Sequence, residues 1–188
     1  MQSDLLPLAE AIRPFYAGVD LGGTNIKAGL VDDLGRTLAF HTEPTHATRG
    51  PEDTAARMGQ SVHALCRRVG IAPDDIARVG LGTPGPQDLP TGVIIRAGNL
   101  PGWDGFPVRD RVALHCGRPV TFANDANAAA YGEFWMGSAR EFSSLVLLTL
   151  GTGVGGGIII GDTNVEGAHS HGSECGHIIV DTSDSARV

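Results

Sequence analysis

Two short glycine-rich runs carry residue types that bind phosphate. Asp20-Leu21-Gly22-Gly23-Thr24-Asn25 and Gly151-Thr152-Gly153-Val154-Gly155-Gly156-Gly157 each lie between two apolar segments typical of β-strands. Glycines let backbone N–H groups approach phosphate oxygens closely, threonine hydroxyls donate, and Asp20 at a strand end could hold Mg²⁺ through water. By itself, the first run fits an ordinary glycine hairpin capped by Asp20 equally well.

The second run contains the letters of a dinucleotide-binding fingerprint at Gly151, Gly153 and Gly156. That fingerprint requires a helix to begin at the glycines, because the helix N-terminus holds the pyrophosphate. Ile158-Ile159-Ile160 follows instead, and three β-branched residues favour a strand. We therefore expect a strand–turn–strand with Thr152 at its tip. Facing the first turn across a cleft, it could clamp one triphosphate.

Asn124-Asp125 precedes an alanine-rich segment that is predicted to form a helix over 126–135. The helix dipole stabilises negative charge at this end, so Asp125 should remain ionised. An ionised carboxylate could accept the proton of an attacking hydroxyl group. Simple N-capping by Asn124 and Asp125 is the alternative interpretation.

Two further segments combine groups that suit a polyhydroxylated ligand. Asn99-Leu100-Pro101-Gly102-Trp103 is a rigid turn with an amide and an aromatic ring that could form an apolar wall for a sugar; the alternative is a surface loop whose Trp103 packs into the protein core. The run from His169 to His177 matches no common zinc spacing. Glu174 and His177 are therefore better interpreted as hydrogen-bond partners of such a ligand.

Local patterns predict the elements that must position these residues. The run 51–69 is the clearest helix, since Ala55, Met58, Val62, Leu65 and Val69 share one face, Pro51 suits the start and Gly70 the stop. The opening segment is predicted to be antiparallel, with a turn at Asp32–Gly35. Predicted strands are 16–20, 26–31, 37–41, 77–82, 93–96, 119–122, 145–150, 154–160 and 177–180, with a second helix at 108–116 and a loop over 162–176.

Composition limits the function classes. The 188 residues are 41% hydrophobic and 19% charged, enough for one large domain or two small lobes. A net charge of -7 without a basic stripe disfavours nucleic-acid binding. Three scattered cysteines indicate a reducing, cytoplasmic location, and we expect neither a signal peptide nor a membrane span.

Together these motifs resemble the ROK family of sugar kinases, which belongs to the actin-like ATPase superfamily. The run from Asp20 to Gly29 is similar to the family's first phosphate motif, and Glu174-Cys175-Gly176-His177 to its Glu-x-Gly-His element. Between them, in the family's order, come Thr83-Pro84-Gly85-Pro86, Asn99 to Trp103, Asn124 to Ala129 and Leu150 to Gly157. The resemblance extends from about Tyr16 to Val180 and is greatest to the bacterial glucokinases.

The resemblance implies an ATP- and Mg²⁺-dependent hexose kinase with Asp125 as the general base for the sugar's 6-hydroxyl. The implied sugar ligands are Asn99, Asn124, Glu174 and His177. The implied cofactor-binding residues are Asp20, Gly22, Gly23, Thr24 and Lys27 on one wall, with Thr152 and Gly153 on the other. The implied fold is α/β, an actin-like ATPase (ribonuclease H-like) fold with lobes 1–122 and 123–188 closing over a cleft.

The sequence also departs from the family pattern. Members carry a zinc-binding Cys-x-Cys-Gly-x-x-Gly-Cys element after Glu-x-Gly-His, with the histidine (here His177) as fourth ligand, but this sequence stops at Val188. A later sugar-binding glutamate and the adenosine site are likewise missing. We therefore expect the front portion of a kinase with an incomplete second lobe. Structural Zn²⁺ would then belong to the full-length parent.

Two alternative functions and the identity of the hexose remain open on sequence grounds. The chain could be an inactive sugar-binding remnant, or a sugar-sensing regulator, which the short segment before Tyr16 disfavours because it cannot hold a helix-turn-helix domain. The hexose could be glucose, the first choice, or N-acetylmannosamine, N-acetylglucosamine, fructose or allose. The parent protein is expected to form homo-oligomers.

Overall fold

The computed structural model of the protein describes residues 5–97, 100–151 and 153–183. The chain folds as two compact units, Met1–Asp125 and Ala126–Val188. The predicted lobe boundary after residue 122 lies three residues before this division, and the identity of the units with the family's lobes stays a prediction. The strands are β1 (Phe15–Leu21), β2 (Asn25–Val31), β3 (Thr37–Pro44), β4 (Ile76–Thr83), β5 (Gln87–Asp88), β6 (Val93–Ile94), β7 (Val120–Asn124), β8 (Ser144–Leu150), β9 (Val154–Ile160) and β10 (Thr163–Asn164), and the helices are α1 (Pro51–Val69), α2 (Val108–Cys116) and α3 (Asp125–Trp135).

Within the described residues of the first unit, five strands form a mixed sheet in the order β3-β2-β1-β4-β7. The pairs β1/β2 and β2/β3 are antiparallel, as the turn residues predict, whereas β4 is parallel to both β1 and β7. Alternate residues of β1, namely Phe15, Ala17, Val19 and Leu21, are buried. This period of two marks one face of the sheet as the core face.

Helix α1 has the predicted bounds and packs against α2 and strands β1 to β3. The predicted apolar stripe lies in the core, with Val69 partly buried at its end. Pro51 occupies the first turn, and Gly70 closes the helix with φ 83°, a left-handed conformation that glycine adopts without steric cost. None of the helices in the described part of the chain has the length and hydropathy that a membrane span requires.

An ion-paired cluster joins the start of α1 to α2. Arg111 donates two hydrogen bonds to the Glu52 carboxylate, at 2.8 and 2.5 Å, and His115 Nε2 lies 2.8 Å from Glu52 Oε1. The Arg111 and His115 hydrogen bonds lower the pKa of Glu52 from 4.5 to about 2. Glu52 therefore stays ionised far into the acid range.

In the second unit, β8, β9 and β10 form an antiparallel sheet in the order β10-β9-β8 across the described residues. The run Gly155 to Gly157 belongs to β9 rather than to the turn before it. An added Cβ at Gly157 would press on the Ala130 side chain and lie 2.9 Å from the Ala126 carbonyl oxygen, so α3 packs directly on this strand. These strand glycines are thus required for close packing.

The other face of this sheet is partly covered. Ser173 and Cys175 press on β9, since a Cβ at Gly156 would lie 2.5 Å from the Ser173 carbonyl oxygen. Val146, Leu148 and Leu150 of the edge strand β8 are 54–81% exposed in the chain. The described part of this unit therefore exposes apolar side chains along its edge strand.

The predicted strand at 177–180 is wrong. Cys175–His177 forms a single 3-10 turn, and Ile178, Ile179 and Val180 have no regular structure. Apolar β-branched residues favour a strand only when a neighbouring strand supplies hydrogen bonds, and no described strand pairs with this segment. The predicted strand at 93–96 shortens to β6, and the predicted loop over 162–176 includes β10.

Replacement of Glu52 by glutamine should make stability less dependent on acid pH. A carboxylate whose pKa is depressed in the folded state contributes stability above its unfolded pKa and loses it as pH falls toward the folded value. We expect Glu52→Gln to lower the urea midpoint at pH 7, and this deficit to shrink between pH 4.5 and pH 2. Glu141→Gln, at an exposed position, is the control. A deficit equal at pH 7 and pH 2.5 would contradict the assignment.

Replacement of Gly157 by alanine should destabilise the second unit. The new methyl group would overlap α3, and such overpacking costs about 1–3 kcal/mol. Gly151→Ala is the matched control, because a Cβ there meets no atom within 4 Å, and its effect should stay within about 0.5 kcal/mol. Urea unfolding monitored by circular dichroism measures both. Equal free energies of unfolding for the two variants would disprove the packing argument.

Candidate functional site

The carboxyl ends of three parallel strands meet at one edge of the first unit's sheet. Strand β4 pairs with β1 through Gly82 and Asp20, and with β7 through Thr83 and Asn124. Strands lie about 4.8 Å apart, so the backbones of β1 and β7 are roughly 10 Å apart at this edge. Ligands of open α/β sheets bind outside the carboxyl ends of the strands, which makes this edge the candidate site.

The first glycine run forms the turn between β1 and β2, as predicted. The Gly22 N–H donates to the Asn25 carbonyl at 3.0 Å, and a Cβ at Gly22 would lie 2.9 Å from that oxygen. Only glycine fits here without a shift of the backbone. Gly23 and Thr24 are exposed at the tip, where a phosphate group can reach their N–H groups.

Asp20 and Lys27 face each other on the neighbouring strands at the base of this turn. Asp20 Oδ2 lies 3.6 Å from Lys27 Nζ, and both side chains are about half exposed or more. A pair this exposed contributes little to stability, so both charges can turn to a ligand. One carboxylate beside this glycine turn fits Mg²⁺, which binds through one or two carboxylates, water and substrate phosphates.

Asn124 and Asp125 lie where strand and helix join. Asn124 ends β7 and stands directly before α3, in the position of a helix cap, and Asp125 is the first residue of α3. The Asp125 side chain is exposed at the positive end of the helix. The structure therefore presents a carboxylate at the same sheet edge as the glycine turn.

The Asn99–Trp103 turn contributes less than its residue types suggest. Trp103 is completely buried and stacks edge-to-face on Phe106, with ring centroids 5.3 Å apart. Trp103 is therefore a core residue, as in the alternative interpretation of this turn. It does not form an apolar wall for a ligand. Asn99 lies outside the described residues.

The second glycine turn joins β8 to β9. The Gly151 N–H donates to the Gly153 carbonyl at 2.9 Å, and both residues are exposed. Thr152, the predicted tip, lies outside the described residues. The turn thus has the predicted strand–turn–strand form, and its phosphate-binding role stays a prediction.

Glu174 and His177 come together in the second unit. Glu174 Oε2 lies 3.9 Å from His177 Nε2, and the His177 side chain is 84% exposed. The described residues contain no group of three or more His, Cys, Asp and Glu side chains that could hold a metal ion. They do not by themselves fit Zn²⁺, so His177 as a zinc ligand depends on cysteines that this sequence does not contain.

Two buried polar residues behind the sheet edge have no signal in the sequence. Gln87 is 1% exposed and its amide Nε2 donates to the Thr83 carbonyl at 2.6 Å and lies 2.9 Å from Thr83 Oγ1. Thr45 is fully buried, and its hydroxyl donates to the Gly22 carbonyl at 2.6 Å. Neither residue belongs to a motif, so sequence reasoning missed both.

Comparison with known proteins bears on the family and the fold of the chain. The ROK family matches residues 16–186. The chain is 36% identical to the glucokinase of Thermotoga maritima over 164 residues, which are 87% of this chain and 50% of that protein. The crystal structure of a ROK hexokinase from Thermus thermophilus has a TM-score of 0.79 at 39% identity, covering 87% of this chain and 53% of the other.

A ROK glucokinase from Streptomyces griseus, crystallised with glucose and AMPPNP, has a TM-score of 0.77 at 36% identity and covers 89% of this chain and 51% of the other. The chain spans about half the length of the curated relatives that it matches. The fold is the predicted α/β actin-like ATPase fold. The chain therefore belongs to the ROK family.

Proposed function

We propose that the protein transfers the γ-phosphoryl group of ATP to the 6-hydroxyl of a hexose, with glucose as the substrate and Asp125 as the general base. The observation that carries the proposal is the single sheet edge that holds both the exposed glycine turn and Asn124-Asp125. Membership in the ROK family supports the proposal. So does the similarity to two glucokinases, each 36% identical to this chain.

Each group at the edge has a task in such a reaction. The Asp125 carboxylate accepts the proton of the sugar hydroxyl, for which it must lie about 2.6–3.2 Å from that oxygen. The N–H groups of Gly23 and Thr24 hold phosphate oxygens, Gly22 shapes the turn through its own hydrogen bond to the Asn25 carbonyl, and Lys27 adds a positive charge. Asp20 would hold Mg²⁺ together with ATP, and the ion would supply positive charge to the phosphates.

The remaining predicted ligands complete this proposal. Asn99, Asn124, Glu174 and His177 are the proposed ligands of the sugar hydroxyls, and Thr152 and Gly153 are further proposed ligands of the phosphates. The carboxylate and imidazole of the Glu174–His177 pair provide the acceptor and donor that a sugar diol requires. Homo-oligomers and a cytoplasmic location belong to the same proposal.

A second candidate is sugar binding without phosphoryl transfer by these 188 residues. The chain spans about half the length of its relatives, and the edge strand β8 leaves Val146, Leu148 and Leu150 exposed. Both observations favour a site that is completed by further residues of a longer protein.

The test of the base is Asp125→Asn, with ATP-dependent glucose phosphorylation measured by a coupled assay. Loss of a general base lowers kcat by about 10²- to 10⁴-fold, while glucose affinity in calorimetry should stay close to the wild-type value. Asp110→Asn is the matched control, because Asp110 is also an exposed carboxylate in the first turn of a helix, α2.

The outcomes separate the two candidates. Activity in the wild-type chain that Asp125→Asn abolishes supports the kinase and its base. Full activity in Asp125→Asn removes Asp125 from that role. Glucose binding without turnover in the wild-type chain supports the second candidate. The same assay with N-acetylglucosamine, N-acetylmannosamine, fructose and allose identifies the hexose.

A further inference from the structure

The turn Gly22–Thr24 is hydrogen-bonded on its buried side by one residue, Thr45. Thr45 directly follows strand β3 and has no exposed surface. Its hydroxyl donates to the Gly22 carbonyl at 2.6 Å, and its backbone N–H donates to the Thr24 carbonyl at 2.8 Å. Thr45 therefore binds both ends of the three-residue turn.

These bonds orient the N–H groups of the turn. The peptide between Gly22 and Gly23 is trans, and in a planar trans peptide the C=O and N–H bonds point in opposite directions. Because the Gly22 carbonyl points toward buried Thr45, the Gly23 N–H points away from it, toward the exposed side of the turn. That is the direction from which a phosphate oxygen can approach.

Helix α1 fixes the position of Thr45 through the side chain of Arg57. Arg57, whose side chain is 12% exposed, donates to the Thr45 carbonyl at 2.8 Å and to the neighbouring Pro44 carbonyl. The same guanidinium donates to Glu43 Oε2 at 3.0 and 2.5 Å. The last strand residues and Thr45 are thus tied to the helix by a partly buried, charge-assisted network.

The network keeps its charge at neutral pH. Burial raises the pKa of Glu43, but the Ser61 hydroxyl, 2.7 Å from Glu43 Oε1, and the Arg57 guanidinium outweigh this effect and hold the pKa below its ordinary value. Glu43 is therefore ionised and can retain Arg57. A fixed Arg57 in turn leaves the Thr45 backbone little freedom.

We infer that Thr45 is a positioning residue for phosphate binding: its hydroxyl holds the 22–23 peptide so that the Gly23 N–H is presented to the phosphate chain of ATP. This inference rests on the proposed function of the turn and names a residue that acts on it from the core. Without the hydroxyl, the Gly22 carbonyl loses its buried donor and the peptide plane can rotate. The N–H would then no longer be preorganised for an anion.

The test compares three variants of the full chain. Thr45→Val keeps the shape but removes the hydroxyl, and Thr45→Ser restores it. Thr54→Val is the matched control, since Thr54 is also fully buried and its hydroxyl also donates to a glycine carbonyl, that of Gly50 at 3.1 Å, away from the turn. Urea unfolding shows whether the two valine variants lose similar stability.

The readout is a titration of the ¹⁵N-labelled chain with the magnesium complex of tripolyphosphate, followed at the Gly23 amide by NMR. We expect Thr45→Val to bind about tenfold more weakly, the effect of one lost hydrogen bond to a preorganised group. The Gly23 amide should also shift in the free Thr45→Val chain. Thr45→Ser and Thr54→Val should bind like the wild type.

Each outcome decides the question. Equal affinity of Thr45→Val and wild type overturns the positioning role and leaves the proposed function intact. Equal weakening by Thr54→Val attributes the loss to general stability and overturns the role as well. A wild-type chain that does not bind the probe overturns the phosphate-binding turn itself, and the role of Thr45 with it.

Discussion

Parallel pairing of β4 with both β1 and β7 is the constraint on which the site depends. Parallel strands in register end at the same sheet edge, so residues about a hundred positions apart in sequence, Asp20 and Asn124, come within two strand spacings. A one-residue slip of β7 would turn its side chains to the opposite face of the sheet. The buried alternation of β1 and the packing of α1 and α2 on the sheet oppose such a slip.

Rigidity behind this edge comes from buried polar contacts rather than from apolar packing alone. Thr45 holds the Gly22 carbonyl, and Gln87 holds Thr83, the last residue of β4. Buried polar groups must be satisfied, so each contact allows few backbone conformations. The backbone of the exposed residues Gly23 and Thr24, which would meet a ligand, therefore keeps a defined conformation although these residues are small. Preorganisation of this kind is what electrostatic catalysis requires.

The second glycine run shows how one stretch serves two purposes. Gly151 and Gly153 shape an exposed turn, whereas Gly155 and Gly157 let α3 lie directly on β9. Sequence letters alone group these glycines together. Steric contact separates them, because a side chain at Gly151 would meet no neighbour and one at Gly157 would meet α3.

Much of the secondary structure could be predicted from the sequence. The bounds of α1 and α2, the antiparallel opening and the β8–β9 hairpin follow from apolar periodicity and from Pro and Gly breakers, which act over a few residues. The order of the motifs along the chain likewise indicates the ROK family. The tertiary structure alone decided that Trp103 lies in the core, that no described strand pairs with 177–180, and that Thr45 lies beneath the Gly22–Thr24 turn. Each of these depends on contacts between distant segments, and no local pattern of side chains specifies which distant group will be the neighbour.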